Sequence, residues 1–537
     1  MVFTLHRYIF RELFRVFFLA ALALTVMLSI ASILRPVQEY GVGPRQVLHL
    51  MAYFLPITLT FVLPIAALFA CSLVYGRFAS DNELDACRAS GVSMFTLIYP
   101  GLALSMLVAI ANLVLSFHVM PVFVHRAEKS LKADAKQIIF RNIQRKGYYE
   151  LPPDDEFLIY ADLADTEKNT LAGVVVAGFA SQGVQRIITA QTATLRFNPQ
   201  KRFNEVQIIA RNTREFDAAR SFSIGLASFD CEFGSLLGDE IRFKKLEEMK
   251  RIRDVDLMLF DPIARLARQV YSQLIAELLA QDITAAISKP NIFYRLHTGS
   301  SFVDFTAKTC RVGREKRLEL TGEIIVIERD AVSQETLETS RCEDAILGTE
   351  GDDLVPTLTL ELYNPISHTG QGPKKATWNW KRIRGLIIPE RIQTLTSPFR
   401  NPTGLNAQAL ASPELLRLPL SAGNNLKSCQ ANLQRIIRRT LADIQAETQS
   451  RLVFGIGCIP MILIGIGLGI MFKGGHLLSA FGLSCIPAAI LMVCIIMGRN
   501  IEKNLGVKGI SGTNLMWAGL VLLVLLALVI YRKLLKH

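Results

Sequence analysis

The sequence predicts an α-helical membrane protein with six transmembrane helices and a large external β-rich domain inserted between the third and fourth helices. Half of the 537 residues are hydrophobic. Many of them fall in six charge-free runs, each about long enough to cross roughly 30 Å of hydrocarbon as a helix. Between the third and fourth runs, several segments alternate apolar and polar positions, as half-buried strands do.

The apolar runs set the order of the membrane segments. The first run follows basic residues, as a signal peptide does, but it exceeds the usual apolar stretch of about 7 to 15 residues and lacks a small-residue cleavage pattern. It is therefore predicted to stay attached as the first span. The predicted spans are 16–34, 51–76, 94–116, 452–472, 477–498 and 513–531.

Basic flanks predict the orientation of these spans. Lys and Arg residues near both ends of the chain place both termini in the cytoplasm, as an even number of spans permits. Residues 77–93 are then cytoplasmic and residues 121–450 lie outside. One loop disagrees with the charge rule, because Arg499, Lys503 and Lys508 fall on the external side. The terminal flanking residues are Arg7, Arg11, Arg15, Arg532, Lys533 and Lys536.

The chain divides into residues 1–120 with the first three spans, the external region 121–450, and residues 451–537 with the last three spans. Within the external region, short strands separated by turns cover about 148–235. A helical period follows over about 243–287, and Pro262 is predicted to interrupt it.

Strand patterns resume in an additional β-rich insertion over about 290–425. A last amphipathic helix over about 426–450 carries its apolar residues on one stripe and runs into the fourth span. The four cysteines of the external region show no regular spacing that indicates a disulfide framework or a zinc site.

The polar segment between the second and third spans carries a helix signal that a simple turn does not need. Ser80 and Glu83 have the spacing of a capping box, in which each side chain binds the backbone N–H of the other. Acidic residues near the start and Arg88 near the end complement the helix dipole, and Gly91 can adopt a left-handed stop. We therefore predict a short cytoplasmic helix over residues 81–90.

The sequence lacks the signatures of the common catalytic sites. It has no phosphate-binding loop, no HExxH and no GxSxG, so we expect no ATP hydrolysis, no cofactor and no metal site in this chain. Glycines 465, 467 and 469 lie inside an apolar run without a preceding strand, which favours close helix packing over a dinucleotide loop. The formal net charge of +12 is unaccompanied by interleaved aromatic residues, so no nucleic-acid partner is expected.

Several local segments, in this order, resemble one family. YIFRELFRVFF leads into the first span, LPITLTFVLPIAALFA carries Pro56 and Pro64 in the second, and SDNELDACRASGVS follows it. MPVFVHRAEK comes after the third span and AETQSR before the fourth. Together with the order of spans and β domain, these segments resemble the lipopolysaccharide export permeases LptF/LptG. The resemblance covers about 1–285 and 430–537.

The resemblance implies a permease subunit in the bacterial inner membrane, with a periplasmic β-jellyroll over about 148–235. It implies four kinds of partner: an LptB-like cytoplasmic ATPase, a second LptF/LptG-type permease in a hetero- or homodimer, LptC/LptA-like periplasmic β-proteins, and lipopolysaccharide with membrane lipid. It also implies that the helix between the second and third spans couples to the ATPase. The coupling residues are Ser80, Asp81, Glu83, Leu84, Cys87, Arg88 and Gly91.

Two further features have alternative interpretations. Arg35, at the external end of the first span, either pairs with a phosphate of the lipid head group or anchors the helix end at the interface. The insertion 290–425 departs from the usual family length. It either extends the main roll as a second β layer or forms an independent domain.

Other classes of function remain as alternatives at this stage. A different six-span envelope transporter or a stress sensor can share this layout, although MacB- and FtsX-like proteins place their external domain between the first and second spans. An intramembrane enzyme would need charged catalytic partners inside the spans, and the predicted spans hold no charged residue.

Overall fold

The structure is a computed structural model of the chain. It describes residues 2–40, 44–133, 135–151, 157–166, 168–180, 183–197, 205–217, 220–232, 240–287, 293–313, 317–350, 357–369, 375–377, 380–402, 404–417, 424–472, 477–503 and 511–536.

Thirteen α-helices occur among the described residues. They are α1 Val2–Tyr40, α2 Pro44–Ser80, α3 Glu83–Ala89, α4 Met94–Val114, α5 Met120–Ala133, α6 Ala135–Lys146, α7 Leu246–Asp254, α8 Asp261–Ile287, α9 Glu390–Thr396, α10 Ala407–Leu410, α11 Asn424–Met471, α12 Leu477–Lys503 and α13 Gly512–Lys536. A π-helical turn, Leu115–Val119, joins α4 to α5.

The described strands form two large antiparallel sheets and one short pair. The first sheet contains β1 Tyr148–Leu151, β2 Phe157–Asp165, β3 Thr170–Ala180, β4 Gly183–Phe197, β5 Glu205–Asp217 and β6 Arg220–Glu232. The second contains β7 Tyr294–His297, β8 Ser301–Thr306, β9 Thr309–Val312, β10 Leu318–Asp330, β11 Thr336–Glu350, β12 Thr357–Tyr363, β13 Ile366–Thr369, β14 Lys375–Thr377 and β15 Trp380–Ile387. The short pair is β16 Arg400–Asn401 and β17 Gly404–Leu405.

Six described helices are long and apolar enough to cross a membrane, which confirms the predicted number of spans. The candidate spans are Phe3–Ala31, Met51–Ser80, Met94–Ala127, Asn425–Met471, Phe481–Lys503 and Gly512–Leu535. The fourth lies within α11, a continuous helix of 48 residues. The predicted helix 426–450 therefore does run into the fourth span without a break.

The chain forms two compact units. Unit 1 comprises Met1–Met249 and Ala442–His537, so it holds the six spans and the first sheet. Unit 2 is Lys250–Leu441 and holds the second sheet. Its long helix α8 begins at Asp261, after α7 has ended at Asp254, and this break matches the interruption predicted near Pro262.

Glycines bring α2 and α11 into close contact, as the glycine-rich run predicted. A Cβ atom added to Gly469 would lie 2.8 Å from the Ser72 carbonyl oxygen and 3.2 Å from the Gly76 nitrogen, both backbone atoms. At Gly465 the added Cβ would lie 2.6 Å from a methyl carbon of Leu68. Only glycine permits this approach, so the contact depends on the small residues.

The first sheet is a meander in which each strand pairs with the next in sequence. Its six strands lie within residues 148–232, in agreement with the short strands predicted over about 148–235. One face of the sheet packs on α6 through Ile139, Phe140 and Ile143. The pairing pattern of the described strands does not by itself define a jellyroll, so the jellyroll stays a prediction.

The second sheet closes into a barrel. Strand β10 pairs with β8 on one edge and with β11 on the other, which completes a ring of six strands, β7, β8, β10, β11, β12 and β15. The register of β10 against β11 shifts between Thr321 and Ile324. Gly322 there has a φ angle of +102°, a conformation that favours glycine and allows the strand to bend.

The described strands of the insertion pair among themselves. No described strand of the second sheet pairs with a described strand of the first. Both long edges of β10 are occupied by other strands of unit 2. Strand pairing does not report on a shared groove, so both interpretations of the insertion, a second β layer on the main roll and an independent domain, stay predictions.

We predict that Gly469→Ala destabilises the protein by about 1–3 kcal/mol, because the added methyl group overlaps the backbone of α2. Thermal unfolding of the detergent-solubilised protein should show a lower Tm. Gly482→Ala is the matched control, since a Cβ at this glycine of α12 meets nothing within 4 Å. An equal Tm for the two variants would contradict the close contact.

Candidate functional site

The candidate site is α3 together with the ends of α2 and α4 that flank it. Helix α2 continues through Ser80, a turn follows at Asp81 and Asn82, and α3 begins at Glu83. The helix therefore starts two residues later than predicted. Its C-terminal stop is as predicted, because Gly91 has a φ angle of +85° and the Val92 N–H donates to the Cys87 carbonyl oxygen at 3.1 Å.

The predicted capping box is wrong. Ser80 is the last residue of α2, so it cannot be the N-cap of the next helix. The N-cap is Asn82, which has a left-handed φ angle of 58° and makes no side-chain capping bond. Glu83 is then the first helical residue rather than the third. Its charge has no reciprocal capping role.

Helix α3 buries one side and exposes the other. Leu84 is only 3% exposed and joins the apolar core of the spans, and Cys87 packs against the same core. Glu83, Ala86 and Arg88 are exposed. The buried leucine fixes the helix to the spans, and the exposed side carries the charged groups of Glu83 and Arg88.

The helices on both sides of α3 are tied to α1. Arg77, near the end of α2, lies 3.2 Å from a carboxylate oxygen of Glu12. At the start of α4, the Ser93 hydroxyl oxygen accepts from the Thr96 N–H. His6 Nε2 donates to the Thr96 carbonyl oxygen at 3.0 Å. This oxygen has no helical donor, because the residue four positions later is Pro100.

The hydroxyl of a tyrosine from α2 bridges two backbone groups of α4 beside the same proline. The Tyr75 hydroxyl donates to the Leu97 carbonyl oxygen at 2.9 Å and accepts from the Gly101 N–H at 3.2 Å. A regular α-helix joins these two backbone groups directly. A Cβ at Gly101 would lie 3.0 Å from the Tyr75 hydroxyl oxygen and 2.5 Å from Ile466 of α11. The glycine therefore makes room for both neighbours.

A second proline, Pro64 of α2, lies deeper in the spans, and a side chain replaces its missing N–H donor. Pro64 leaves the Thr60 carbonyl oxygen without its helical donor. The Asn112 side-chain amide of α4 donates to that oxygen at 2.9 Å. Because both groups are buried and unsatisfied groups cost several kcal/mol in hydrocarbon, this bond holds α2 against α4.

Sequence reasoning missed a buried ion cluster at the far end of the spans. Arg451 and Glu447 of α11 lie 2.9 Å apart and are 5% and 6% exposed. Arg499 of α12 lies 2.6 Å from the other carboxylate oxygen of Glu447. The only signal was the segment AETQSR, which places glutamate and arginine four residues apart at the mouth of a span.

The remaining predicted site features give little chemistry. Arg35 belongs to α1, but its side chain lies outside the described residues. Among the described residues, no three His, Cys, Asp or Glu side chains come together as metal ligands. Burial raises the pKa of Cys310 and of Cys342 to about 11, so both thiols stay protonated near neutral pH.

Six apolar helices, a β-rich insertion and an anchored helix between the second and third spans define a multi-pass membrane protein. Residues 7–251, somewhat less than half of the chain, match the family "Lipopolysaccharide export system permease LptF/LptG". This match supports the assignment of the chain to that family of lipopolysaccharide export permeases. No curated protein matches the chain.

We predict that Tyr75→Phe loosens the helices on both sides of α3. The change leaves a buried N–H and a buried carbonyl of α4 without the hydroxyl, at a cost of about 1–3 kcal/mol. A lower Tm and faster amide exchange at residues 97–101 would be measured. Tyr99→Phe is the control, because Tyr99 is exposed; equal exchange in both variants would contradict the role of Tyr75.

Proposed function

We propose that this chain is the membrane-spanning permease subunit of an ABC transporter that extracts lipopolysaccharide from the bacterial inner membrane. ATP hydrolysis takes place in a separate cytoplasmic ATPase that docks on α3. The observation that carries this proposal is the two-sided character of α3. Its leucine is buried in the core of the spans while its charged side is exposed. The family match supports the lipid substrate.

Helix α3 is suited to pass on force. A partner that moves α3 is expected to move α2 and α4 as well, because Leu84 belongs to the same apolar core as residues of both helices. Tyr75 and Asn112 hold α2 and α4 together at two further levels. A displacement at the helix therefore reaches both spans instead of being absorbed by a loop.

Charge pairing supports an orientation with both termini in the cytoplasm. The external loop that disagreed with the charge rule carries Arg499 and Lys503. Arg499 lies 2.6 Å from Glu447, and Lys503 lies 3.4 Å from Asp443. Pairing with carboxylates of α11 gives these two basic residues a structural reason to lie on the external side. Lys508 lies outside the described residues.

Exposed apolar faces support a second permease subunit and membrane lipid as partners. In an 18-residue apolar window of the spans Phe3–Ala31 and Phe481–Lys503, only 22% of the residues are buried within this chain, against 61% in the corresponding window of Met51–Ser80. The exposed faces of α1 and α12 suit a second LptF/LptG-type subunit and the acyl chains of the lipid between them.

The first sheet supports transfer to LptC/LptA-like β-proteins. Strand β6 pairs only with β5 among the described strands. Its other edge offers backbone donors and acceptors to a strand of another protein. In this arrangement the sheet would continue into the partner and carry the lipid away from the membrane.

We predict that Glu83→Gln weakens association with the ATPase by about tenfold, because hydrogen bonds to a charged group contribute about 1.5–3 kcal/mol. Copurification of the ATPase and lipid export would be measured. Since Glu83 does not cap α3 reciprocally, the loss cannot come from a broken capping box.

Glu83→Asp and Ser80→Ala are the controls for this prediction. Glu83→Asp keeps the charge and its favourable position at the start of the helix, so it should retain most of the binding. Ser80 is exposed at the end of α2, and its replacement should have no effect. Unchanged copurification and export in Glu83→Gln would reject docking through this residue.

For Arg35 we predict that Arg35→Lys lowers lipid copurification, because a lysine keeps the anchoring charge but loses the bidentate fork that binds phosphate. Bound lipid would be counted by mass spectrometry of the purified complex. If Arg35→Lys and the unmodified protein retained equal lipid while Arg35→Ala impaired membrane insertion, Arg35 would be an interfacial anchor.

A further inference from the structure

The buried cluster around Arg451 links four separate segments of unit 1. Its guanidinium donates to Glu447 on its own helix, to the Ser116 carbonyl oxygen at 3.0 Å, and to the Arg242 and Lys244 carbonyl oxygens at 2.7 and 3.4 Å. Glu447 also binds Arg499 of α12. We call Arg451, Glu447 and Arg499 the base cluster.

The contact with Ser116 has a specific cause in the backbone. Residues 115–119 form a π-helical turn, in which each N–H reaches the carbonyl five residues earlier, as the Met120 N–H does to Leu115. The next donor in this register would be residue 121, which is a proline and has no N–H. The Ser116 carbonyl is thus free to accept from Arg451. The guanidinium replaces a missing backbone donor.

The contacts with Arg242 and Lys244 concern the chain that leads into unit 2. Unit 2 begins at Lys250 and ends at Leu441. The segment 242–244 comes shortly before its start, and Glu447 and Arg451 come shortly after its end. The base cluster therefore joins the segment that precedes unit 2 to the segment that follows it. This junction lies next to the third and fifth spans.

Burial makes this arrangement stiff. Arg451 uses all three of its guanidinium nitrogens in hydrogen bonds, and its charged carbon lies 5.6 Å from the centre of the Phe117 ring. Removal of one partner from a buried ion pair costs about 3–5 kcal/mol, since the other charge is left without compensation. The segments joined by Arg451 are thus expected to move together.

We propose that the base cluster is a positioning clamp that transmits movement of the third, fourth and fifth spans to the chain segments entering and leaving unit 2. Arg451 is its central positioning residue. It fixes the segment 242–244 relative to the spans through the three backbone carbonyls that accept from it. In the proposed permease, the clamp makes the segment 242–244 follow the movement of the spans during transport, and this step rests on the proposed function.

Hydrogen exchange tests the clamp without any transport assay. Arg451→Lys keeps the charge but cannot reach three carbonyls and a carboxylate at once. We expect exchange to rise about tenfold in residues 240–249 and also in residues 115–120, because both segments lose the same donor. Arg438→Lys is the matched control, since Arg438 is exposed on the same helix. Exchange that rises in only one segment, or in neither, would overturn the proposal.

A second variant covers the case in which Arg451→Lys does not fold. Glu447→Gln keeps an acceptor for Arg451 but removes the charge that holds Arg451 and Arg499 together. It should raise exchange in the same two segments by a smaller factor. Unchanged exchange in both segments of folded Glu447→Gln would also overturn the clamp.

A transport readout separates a positioning role from simple stability. In the complete complex, Arg451→Lys should lower lipid transfer per ATP hydrolysed by about tenfold while hydrolysis itself stays within about twofold of normal. An equal loss of both would mean that Arg451 only stabilises the fold, and would overturn the positioning role. If the unmodified complex moved no lipid but the exchange pattern appeared as expected, the proposed function would fail and the clamp would stand.

Discussion

Three carbonyl groups without helical donors impose a constraint on which the packing of the spans depends. In hydrocarbon no water can satisfy a backbone group, and each unsatisfied group costs several kcal/mol. Pro64, Pro100 and Pro121 each remove a donor that the backbone would otherwise supply. In every case a polar side chain of another helix donates instead. The pairs are Asn112 with Thr60, His6 with Thr96, and Arg451 with Ser116.

Because of this constraint, each of these three prolines marks both a weak point of its helix and a contact with a neighbouring helix. A proline weakens a helix where it stands, yet the side chain that replaces its N–H must come from a fixed neighbour. The bonds from His6 and Tyr75 lie near α3, the bond from Asn112 lies within the spans, and the bonds from Arg451 lie at the opposite end. The two ends of the membrane region are thereby linked through α4, which takes part in each of these contacts or adjoins it.

Local patterns were sufficient for much of the fold. Apolar runs predicted the six spans, alternation predicted strands in the regions that hold the first and second sheets, and glycine spacing predicted close helix packing in the fourth span, although not that α2 is the partner. Each of these features depends on residues within one short window of sequence.

Long-range pairings could not be predicted in the same way. The capping box failed because α2 continues through Ser80, and a local signal cannot show where a preceding helix ends. Closure of the barrel depends on the pairing of β10 with both β8 and β11. The partners of Arg451 lie more than two hundred residues away along the chain, at Arg242 and Lys244, and are backbone carbonyls that leave no side-chain signature.

The base cluster also explains how a large β-rich unit can be carried between two membrane helices. An inserted domain is tolerated best when its two ends lie close together and it folds around its own core. Unit 2 meets the second condition because its barrel closes through β10 and β11. The segments just outside the two ends of unit 2 lie close together, because the Lys244 carbonyl oxygen is 3.4 Å from a guanidinium nitrogen of Arg451. The segments that lead into and out of unit 2 are therefore joined within unit 1, where Arg451 supplies the hydrogen bonds between them.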